Sequence, residues 1–126
     1  MPTSEAVLVL LAHGSPDAAW RRPFETLRGQ LQSAHGEYRI RLAYLEFIRP
    51  TLGETIDDLI TAGATDIRVL PLFMATGGHF KNDIEPMVDD LNGRRGDVVV
   101  TLLAPIGEHP ALIAAIRSIA DNALID

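Results

Sequence analysis

Apolar runs rich in β-branched residues recur four times along the chain, and each has about the length of a strand. They are AVLVLLAHG at 6–14, RIRLAYLEF at 39–47, DIRVLPLFM at 66–74 and DVVVTLLAP at 97–105. Short and almost continuous apolar runs are typical of strands that are buried on both faces of a sheet. The pattern therefore predicts four buried strands.

The segments between and after these runs carry apolar residues at helical spacing, as in HPALIAAIRSIADNAL at the end of the chain. Thr51 followed by Glu54 predicts the start of the second helix, and Pro110 suits a first helical position after His109. Strands that alternate with helices favour a parallel sheet with right-handed crossovers and helices on both faces. We predict an α/β fold with the element order βαβαβαβα and the strand order 2-1-3-4.

Two histidines follow predicted strand ends, His13 in LLAHGSPD and His79 in LFMATGGHFKND. In the order 2-1-3-4 the first and third strands are neighbours, and ligands bind outside the carboxyl ends of strands at such a switch point. Gly14, Gly77 and Gly78 would let the backbone approach a ligand, although the same glycines also suit tight turns. A tight turn does not require a histidine, so we predict that His13 and His79 face each other across one site.

Other polar residues allow more than one interpretation. Glu46 is an acidic residue in the second apolar run, and both a site role and a structural hydrogen bond to a loop amide remain open. We expect His35, beside a glycine at a helix end, and His109, at an N-cap, to be structural.

Other catalytic classes find little support in these motifs. Ser15 in AHGSP lacks the G-x-S-x-G elbow of hydrolases, and GGHFKND lacks the lysine and hydroxyl spacing of a P-loop. The HG pair after the first strand resembles phosphoglycerate mutases, but Ala12 stands where those enzymes have an arginine. A hydrolase or phosphotransferase acting through Ser15 or His13 is the weaker alternative.

Composition narrows the class of protein further. A chain of 126 residues that is 47% hydrophobic fits a single domain over residues 1–126. With no cysteine, any metal would be held by histidine or oxygen ligands. A formal charge of −6 and a pI of about 5.1 argue against a nucleic-acid partner. The first apolar run is too short for a membrane span or a secretory signal, so we expect a cytoplasmic protein without a membrane partner.

Three stretches resemble the small single-domain sirohydrochlorin chelatases, the CbiX-like cobaltochelatases and nickelochelatases. They are LLAHGSPD, the central YLEFIRPTLGETIDDLITAGATDIRVLPLFMATGGHFKNDI, and APIGEHPAL before the last helix. The resemblance covers nearly the whole chain. It implies a class II chelatase-like fold, a homodimer as the active form, and ATP-independent insertion of a divalent metal ion into sirohydrochlorin.

The resemblance also implies roles for individual residues. The family's histidines fall on His13 and His79, which we expect to bind the metal and accept the two pyrrole protons, with Glu46 as an auxiliary carboxylate. Backbone amides near helix N-termini are expected to receive the substrate's carboxylates, at Gly14, Ser15, Thr76, Gly77 and Gly78. No tightly bound cofactor is implied, because the metal, Co²⁺ or else Ni²⁺ or Fe²⁺, is a substrate.

Three questions stay open at this point. A carrier that binds metal or tetrapyrrole without catalysis would use the same fold. Lys81 has a site role or is a solvated lysine at a helix start. The apolar last helix, ALIAAIRSIA, either pairs two copies or packs on its own sheet.

Overall fold

The computed structural model describes residues 6–78 and 80–125. Four parallel strands form one sheet in the order β2-β1-β3-β4. Their bounds are β1 Ala6–Ala12, β2 Arg39–Tyr44, β3 Asp66–Pro71 and β4 Val99–Leu102. The predicted α/β fold and strand order are confirmed.

Four α-helices alternate with the strands, with bounds α1 Ala18–Ala34, α2 Leu52–Thr61, α3 Glu85–Arg94 and α4 Pro110–Ala123. A π-helical turn, Phe80–Ile84, leads into α3, and a 3₁₀ turn, Ile106–Glu108, precedes α4. Thr51 and Glu54 form the predicted capping box of α2. None of the helices in the described part of the chain is long and apolar enough to cross a membrane.

The strands end earlier than the apolar runs predicted, and this changes the place of Glu46. After Tyr44 the chain bends through 45–50, and Phe47 in this bend has a φ of 72°, which no strand residue adopts. Glu46 therefore lies just beyond the end of β2, in the loop between β2 and α2. In β3 the run stops at Pro71, whose nitrogen has no hydrogen to donate.

The two faces of the sheet are covered differently. One face carries Val7, Val9 and Leu11 of β1, which pack with the buried side chains of α2 and α3 into the hydrophobic core. On the other face α1 lies over β2, where Ile40 exchanges hydrogen bonds with the Gln32 side chain and the Arg28 guanidinium. The helix α4 has no buried residue along its length, so the interpretation that it packs on its own sheet is wrong for this chain.

Candidate functional site

The carboxyl end of β1 is held between the ends of its two neighbours. The Leu45 N–H donates to the Ala12 carbonyl and the Leu72 N–H donates to the Leu11 carbonyl, both at 2.8 Å. His13 is the next residue, so it leaves the sheet between the loop after β2 and the loop after β3. This is the switch point of the strand order, where the sequence predicted the site.

Gly14 is buried because the loop after β2 passes directly over it. A Cβ on Gly14 would lie 1.5 Å from the Glu46 carbonyl oxygen and 3.2 Å from the Ile48 Cγ2. No side chain fits in that space, so packing against the neighbouring loop requires glycine here. Close approach to a ligand is not needed to explain Gly14.

His13 is exposed, and its ring stacks on the buried ring of Phe73 with the centroids 4.4 Å apart and the planes tilted by 36°. Phe73 in turn meets Phe80 edge to face, at 6.1 Å and 86°. Phe80 directly follows His79 in the sequence, while His79 itself lies outside the described residues. Phe73 thus links the ring of His13 to Phe80, the residue that follows His79 in the sequence.

Gly77 and Gly78 precede that position and are exposed. A Cβ on Gly77 would meet nothing within 4 Å, and one on Gly78 would meet only the Asn82 amide, at 3.8 Å. Packing does not require glycine at either residue, in contrast to Gly14.

The N-terminus of α1 already holds a carboxylate of the protein. The Asp17 side chain accepts a hydrogen bond from the Ala19 N–H at 2.9 Å, and the Ser15 hydroxyl oxygen accepts one from the Asp17 N–H at 3.1 Å. Ser15 therefore lies at the start of α1 as predicted, but Asp17 occupies part of the anion-binding capacity of that helix end.

Thr76 and Lys81 flank the second glycine pair. Thr76 is half-buried and borders a hollow that also contains the carboxylates of Glu85, Asp89 and Glu108. Lys81 is exposed, and its backbone N–H donates to the Gly77 carbonyl at 3.1 Å. Nearby acidic groups make Thr76 a poorer place for a substrate carboxylate than the sequence suggested.

Three large apolar side chains are exposed in the loops and first helical turn at this edge, and together we call them the apolar rim. They are Trp20 in the first turn of α1, Phe47 after β2 and Met74 after β3. They were not predicted from the sequence, although large apolar residues beside predicted strand ends are a signal that could have indicated them. Exposed apolar groups around a polar centre are typical of ligand sites.

A groove rich in arginine adjoins the same edge on the outer side of β2, and it was not predicted from the sequence. Its charged lining includes Arg21, Arg28, Arg41 and Arg49, with Glu25 as the one acid among the groove's residues. Ile48, which would touch a Cβ on Gly14, also lines this groove. Four arginines in one groove are unexpected in a protein with a net charge of −6.

Arg21 provides the clearest polar feature of this arginine groove. Its Nε is buried and has no hydrogen-bond partner within the described residues. Burial raises the pKa of the neighbouring Tyr44, Glu25 raises it further, and the Arg21 charge opposes them. Tyr44 therefore stays a neutral phenol and adds no negative charge to the groove.

The remaining histidines are placed where the sequence predicted. His35 is the C-cap residue of α1, its N–H donating to the Leu31 carbonyl at 2.9 Å, and its ring contacts Tyr38. His109 occupies the N-cap position of α4, but its side chain makes no capping hydrogen bond. Within residues 6–78 and 80–125, no group of three histidine, aspartate or glutamate side chains could hold a metal ion.

Comparison with protein families agrees with this geometry. The family model described as CbiX matches residues 7–123, so the chain belongs to the CbiX family. A sirohydrochlorin cobaltochelatase of Saccharolobus solfataricus is 29% identical over 112 residues, covering 79% of this chain and 81% of that protein. One from Saccharolobus islandicus strain L.S.2.15 is 36% identical over 83 residues, but the match spans only 59% of that relative and 61% of this chain.

Solved structures share the fold. A CbiX protein from Marinobacter aquaeolei VT8 superposes with a TM-score of 0.76 and 34% identity, covering 94% of this chain and 97% of that one. The sirohydrochlorin chelatase SirB from Bacillus subtilis subspecies spizizenii, in complex with cobalt, matches with a TM-score of 0.75. At 20% identity that likeness concerns the fold, and it covers 93% of this chain but 50% of SirB.

Proposed function

We propose that this protein inserts a divalent metal ion into sirohydrochlorin without ATP, with Co²⁺ as the first candidate. The observation that carries the proposal is the position of His13, an exposed imidazole stacked on Phe73 at the switch point of a CbiX-family fold. The names of the Saccharolobus relatives and the cobalt in the SirB structure support the choice of substrate and metal.

The reaction exchanges two pyrrole N–H protons for one M²⁺ ion. A neutral imidazole can hold the ion loosely or accept a proton near pH 7. We assign both tasks to His13 and His79, since Phe80 beside His79 packs on the ring that supports His13. Glu46 is half-buried in the loop that covers Gly14, and we assign it the role of auxiliary carboxylate.

Two surfaces at the sheet edge that carries His13 are suited to recognise the substrate. The apolar rim offers flat contacts to the faces of a macrocycle, and the arginine groove offers charge to its carboxylates. The amides of Gly14, Ser15, Thr76, Gly77 and Gly78 contribute hydrogen bonds, those of Gly77 and Gly78 the most, because Asp17 competes at the start of α1 and acidic groups border Thr76. We expect Arg21→Gln to raise the KM for sirohydrochlorin more than it lowers kcat, since Arg21 lines the arginine groove and is not one of the proposed metal ligands.

The active form we propose is a homodimer. One copy exposes the site at an open edge, whereas the fold matches about half of SirB, so a second copy would supply an opposing wall. Ni²⁺ and Fe²⁺ are alternative metal substrates, because imidazole and carboxylate suit all three ions. A single domain over residues 1–126 and a cytoplasmic location are part of the same proposal.

A spectral assay tests the proposal. Purified protein is mixed with sirohydrochlorin and Co²⁺, Ni²⁺ or Fe²⁺, and the rate of change of the tetrapyrrole spectrum is compared with the rate without protein. We expect acceleration that is catalytic, with many product molecules per protein. Binding without acceleration by any of the three ions would show a carrier and contradict the chelatase proposal.

A further inference from the structure

The helix α1 directs one row of polar side chains toward the outer edge of β2. The row consists of Arg21, Glu25, Arg28 and Gln32, at the spacing of residues that share one helix face. At its later end, the Gln32 side chain accepts a hydrogen bond from the Ile40 N–H at 3.1 Å, and Arg28 donates to the Ile40 carbonyl at 3.0 Å. These two side chains therefore take the place of a neighbouring strand at that point of β2.

Arg21 lies two helical turns before Arg28 in the same row, and its position follows from the geometry. Seven helical residues rise by about 10 Å, which is the length of about three strand residues. Because α1 runs back antiparallel to β2 in a parallel sheet, Arg21 lies beside the end of the strand, and it lines the groove together with Tyr44. Its buried Nε has no hydrogen-bond partner within the described residues. An unpaired buried donor on a charged group is unfavourable, so the groove suits an acceptor from outside the chain.

The outer edge of β2 provides a second donor. Alternate strand residues direct their backbone groups to opposite sides. The Ile40 N–H points outward to Gln32, and the Tyr44 N–H points outward to the Pro50 carbonyl at 2.9 Å. Leu42 lies between them and lines the groove, so its N–H also points outward, on the side where β2 has no neighbouring strand. Nothing in the described part of the chain accepts a hydrogen bond from it.

The groove carries more positive than negative charge. Arg49 pairs with Glu54, and Glu25 offsets one more guanidinium, which leaves two of the four arginines without an acidic counterpart among the groove residues. Two monoanionic groups would complete this balance. Carboxylates are suitable, because a planar carboxylate accepts two parallel hydrogen bonds from a guanidinium. A phosphate dianion would instead concentrate both charges at one point near Glu25.

We propose that the arginine groove binds the acetate and the propionate of one pyrrole ring, and that it selects tetrapyrroles that carry both groups on the same ring. This inference rests on the proposed function and names the part of the substrate that the groove recognises. One carboxylate accepts from the Arg21 Nε and the other from the Leu42 N–H, while Arg41, which is exposed in the same groove, supplies further charge.

The groove is near enough to the His13 loop for one macrocycle to use both. Ile48 lines the groove, and its Cγ2 would lie 3.2 Å from a Cβ on Gly14, the residue that follows His13. A tetrapyrrole over the imidazole can therefore extend the side chains of one ring past Ile48 into the groove. In that arrangement the two carboxylates fix the rotation of the macrocycle over the metal site.

Binding of metal-free porphyrins tests the selection. Uroporphyrin carries an acetate and a propionate on every ring, and coproporphyrin has a methyl group in place of each acetate. At fixed salt, fluorescence anisotropy should show uroporphyrin bound about ten-fold more tightly by the unaltered protein. Arg21→Gln should reduce this ratio to about three-fold or less, because the acetate loses its donor.

The matched control is Arg22→Gln. It removes the same charge from the next residue of α1, which is exposed and is not among the residues that line the groove. This variant should keep the ratio of the unaltered protein. Arg41→Gln changes an exposed groove residue and should lower the ratio in the same direction, which gives a test that leaves every buried group in place. Equal ratios in all three variants would overturn the proposal.

Nuclear magnetic resonance locates the bound groups. We expect uroporphyrin to shift the Leu42 amide and Arg21 Nε signals, and coproporphyrin to shift them less. If free succinate shifts both signals and uroporphyrin shifts neither, the groove is a separate site for small dicarboxylates and the assignment to a pyrrole ring is wrong.

Metal insertion by the unaltered protein distinguishes this inference from the proposed function. Insertion of Co²⁺ into sirohydrochlorin together with an unchanged ratio in Arg21→Gln refutes only the role of the groove. A ratio that falls in Arg21→Gln but not in Arg22→Gln, in a protein that inserts no metal, refutes only the chelatase.

Discussion

The two glycine-containing loops that carry the predicted site residues are built in opposite ways. At Gly14 the Glu46 carbonyl fills the space that a Cβ would need, so glycine is required for two loops to pass. At Gly77 the same space is open. Similar sequence patterns, a histidine beside glycine after an apolar run, thus arise from different constraints.

A glycine indicates function only where packing does not already require it. A glycine that packing requires needs no ligand to explain it, whereas exposed glycines in open space leave close approach of a ligand or turn formation as the reason. The His13 loop provides a closely packed support for an imidazole. The Gly77–Gly78 pair provides the accessible backbone that we assign to substrate binding.

Alanine substitution at Gly14 and at Gly77 should have very different effects on stability. Gly14→Ala forces the loop after β2 to move and is expected to destabilise the protein by about 3 kcal/mol or more. Gly77→Ala is expected to change stability by less than about 1 kcal/mol, since the added methyl group meets no atom. Urea denaturation of both variants gives the comparison, and equal losses would contradict it.

Phe73 contacts both His13 and Phe80, so we expect its ring to support the loops that carry them. Phe73→Leu keeps an apolar side chain and is expected to lower stability by only about 1 kcal/mol. Insertion should fall at least ten-fold, because His13 loses the ring on which it stacks. Measuring unfolding and insertion on the same preparation distinguishes this from general loss of fold, and unchanged insertion would remove Phe73 from the account.

The smallest effect concerns the anchoring of the loop that covers Gly14. The Arg49 guanidinium and the Thr51 N–H lower the pKa of Glu54 from 4.5 to about 2. A lowered folded-state pKa stabilises the fold above pH 4.5, and this contribution disappears as the pH falls towards 2. We expect the Tm of Glu54→Gln to lie slightly below that of the unaltered protein at pH 6, with the two values converging near pH 2.

The effect of salt checks whether the difference in Tm comes from the charge of Glu54. Glu54 is solvent-accessible, so added salt should reduce the difference in Tm at pH 6. A difference in Tm that persists unchanged from pH 6 to pH 2 would show that Glu54 acts through its shape and not through its charge.

Much of the fold could be predicted because local and global signals agree. Buried runs such as AVLVLLA, the Thr51–Glu54 capping box and Pro110 at the start of α4 each act over a few residues. The predicted strand order placed His13 at the carboxyl edge of the sheet, where the structure has it. The exact strand ends were missed because apolar residues continue beyond Tyr44 and Pro71 into loops whose bends depend on tertiary contacts.

The features that could not be predicted depend on residues distant in sequence. The clash that makes Gly14 indispensable involves Glu46, and the arginine groove combines α1, β2 and the loop before α2. An apolar helix such as α4 has the same pattern whether it covers its own sheet or that of another copy. Only its exposure in the folded chain separates these interpretations.

If the two predicted site histidines perform metal insertion, their removal should abolish the reaction while removal of the other two histidines should not. The initial rate of Co²⁺ insertion into sirohydrochlorin is compared for His13→Ala, His79→Ala, His35→Ala and His109→Ala, with circular dichroism and sedimentation as checks of fold and assembly. We predict that the first two variants lose at least a hundred-fold in rate, and that the last two stay within about three-fold of the unaltered protein, because a removed general base or ligand weakens catalysis by roughly two to four orders of magnitude. Full activity of folded His13→Ala and His79→Ala would contradict the account.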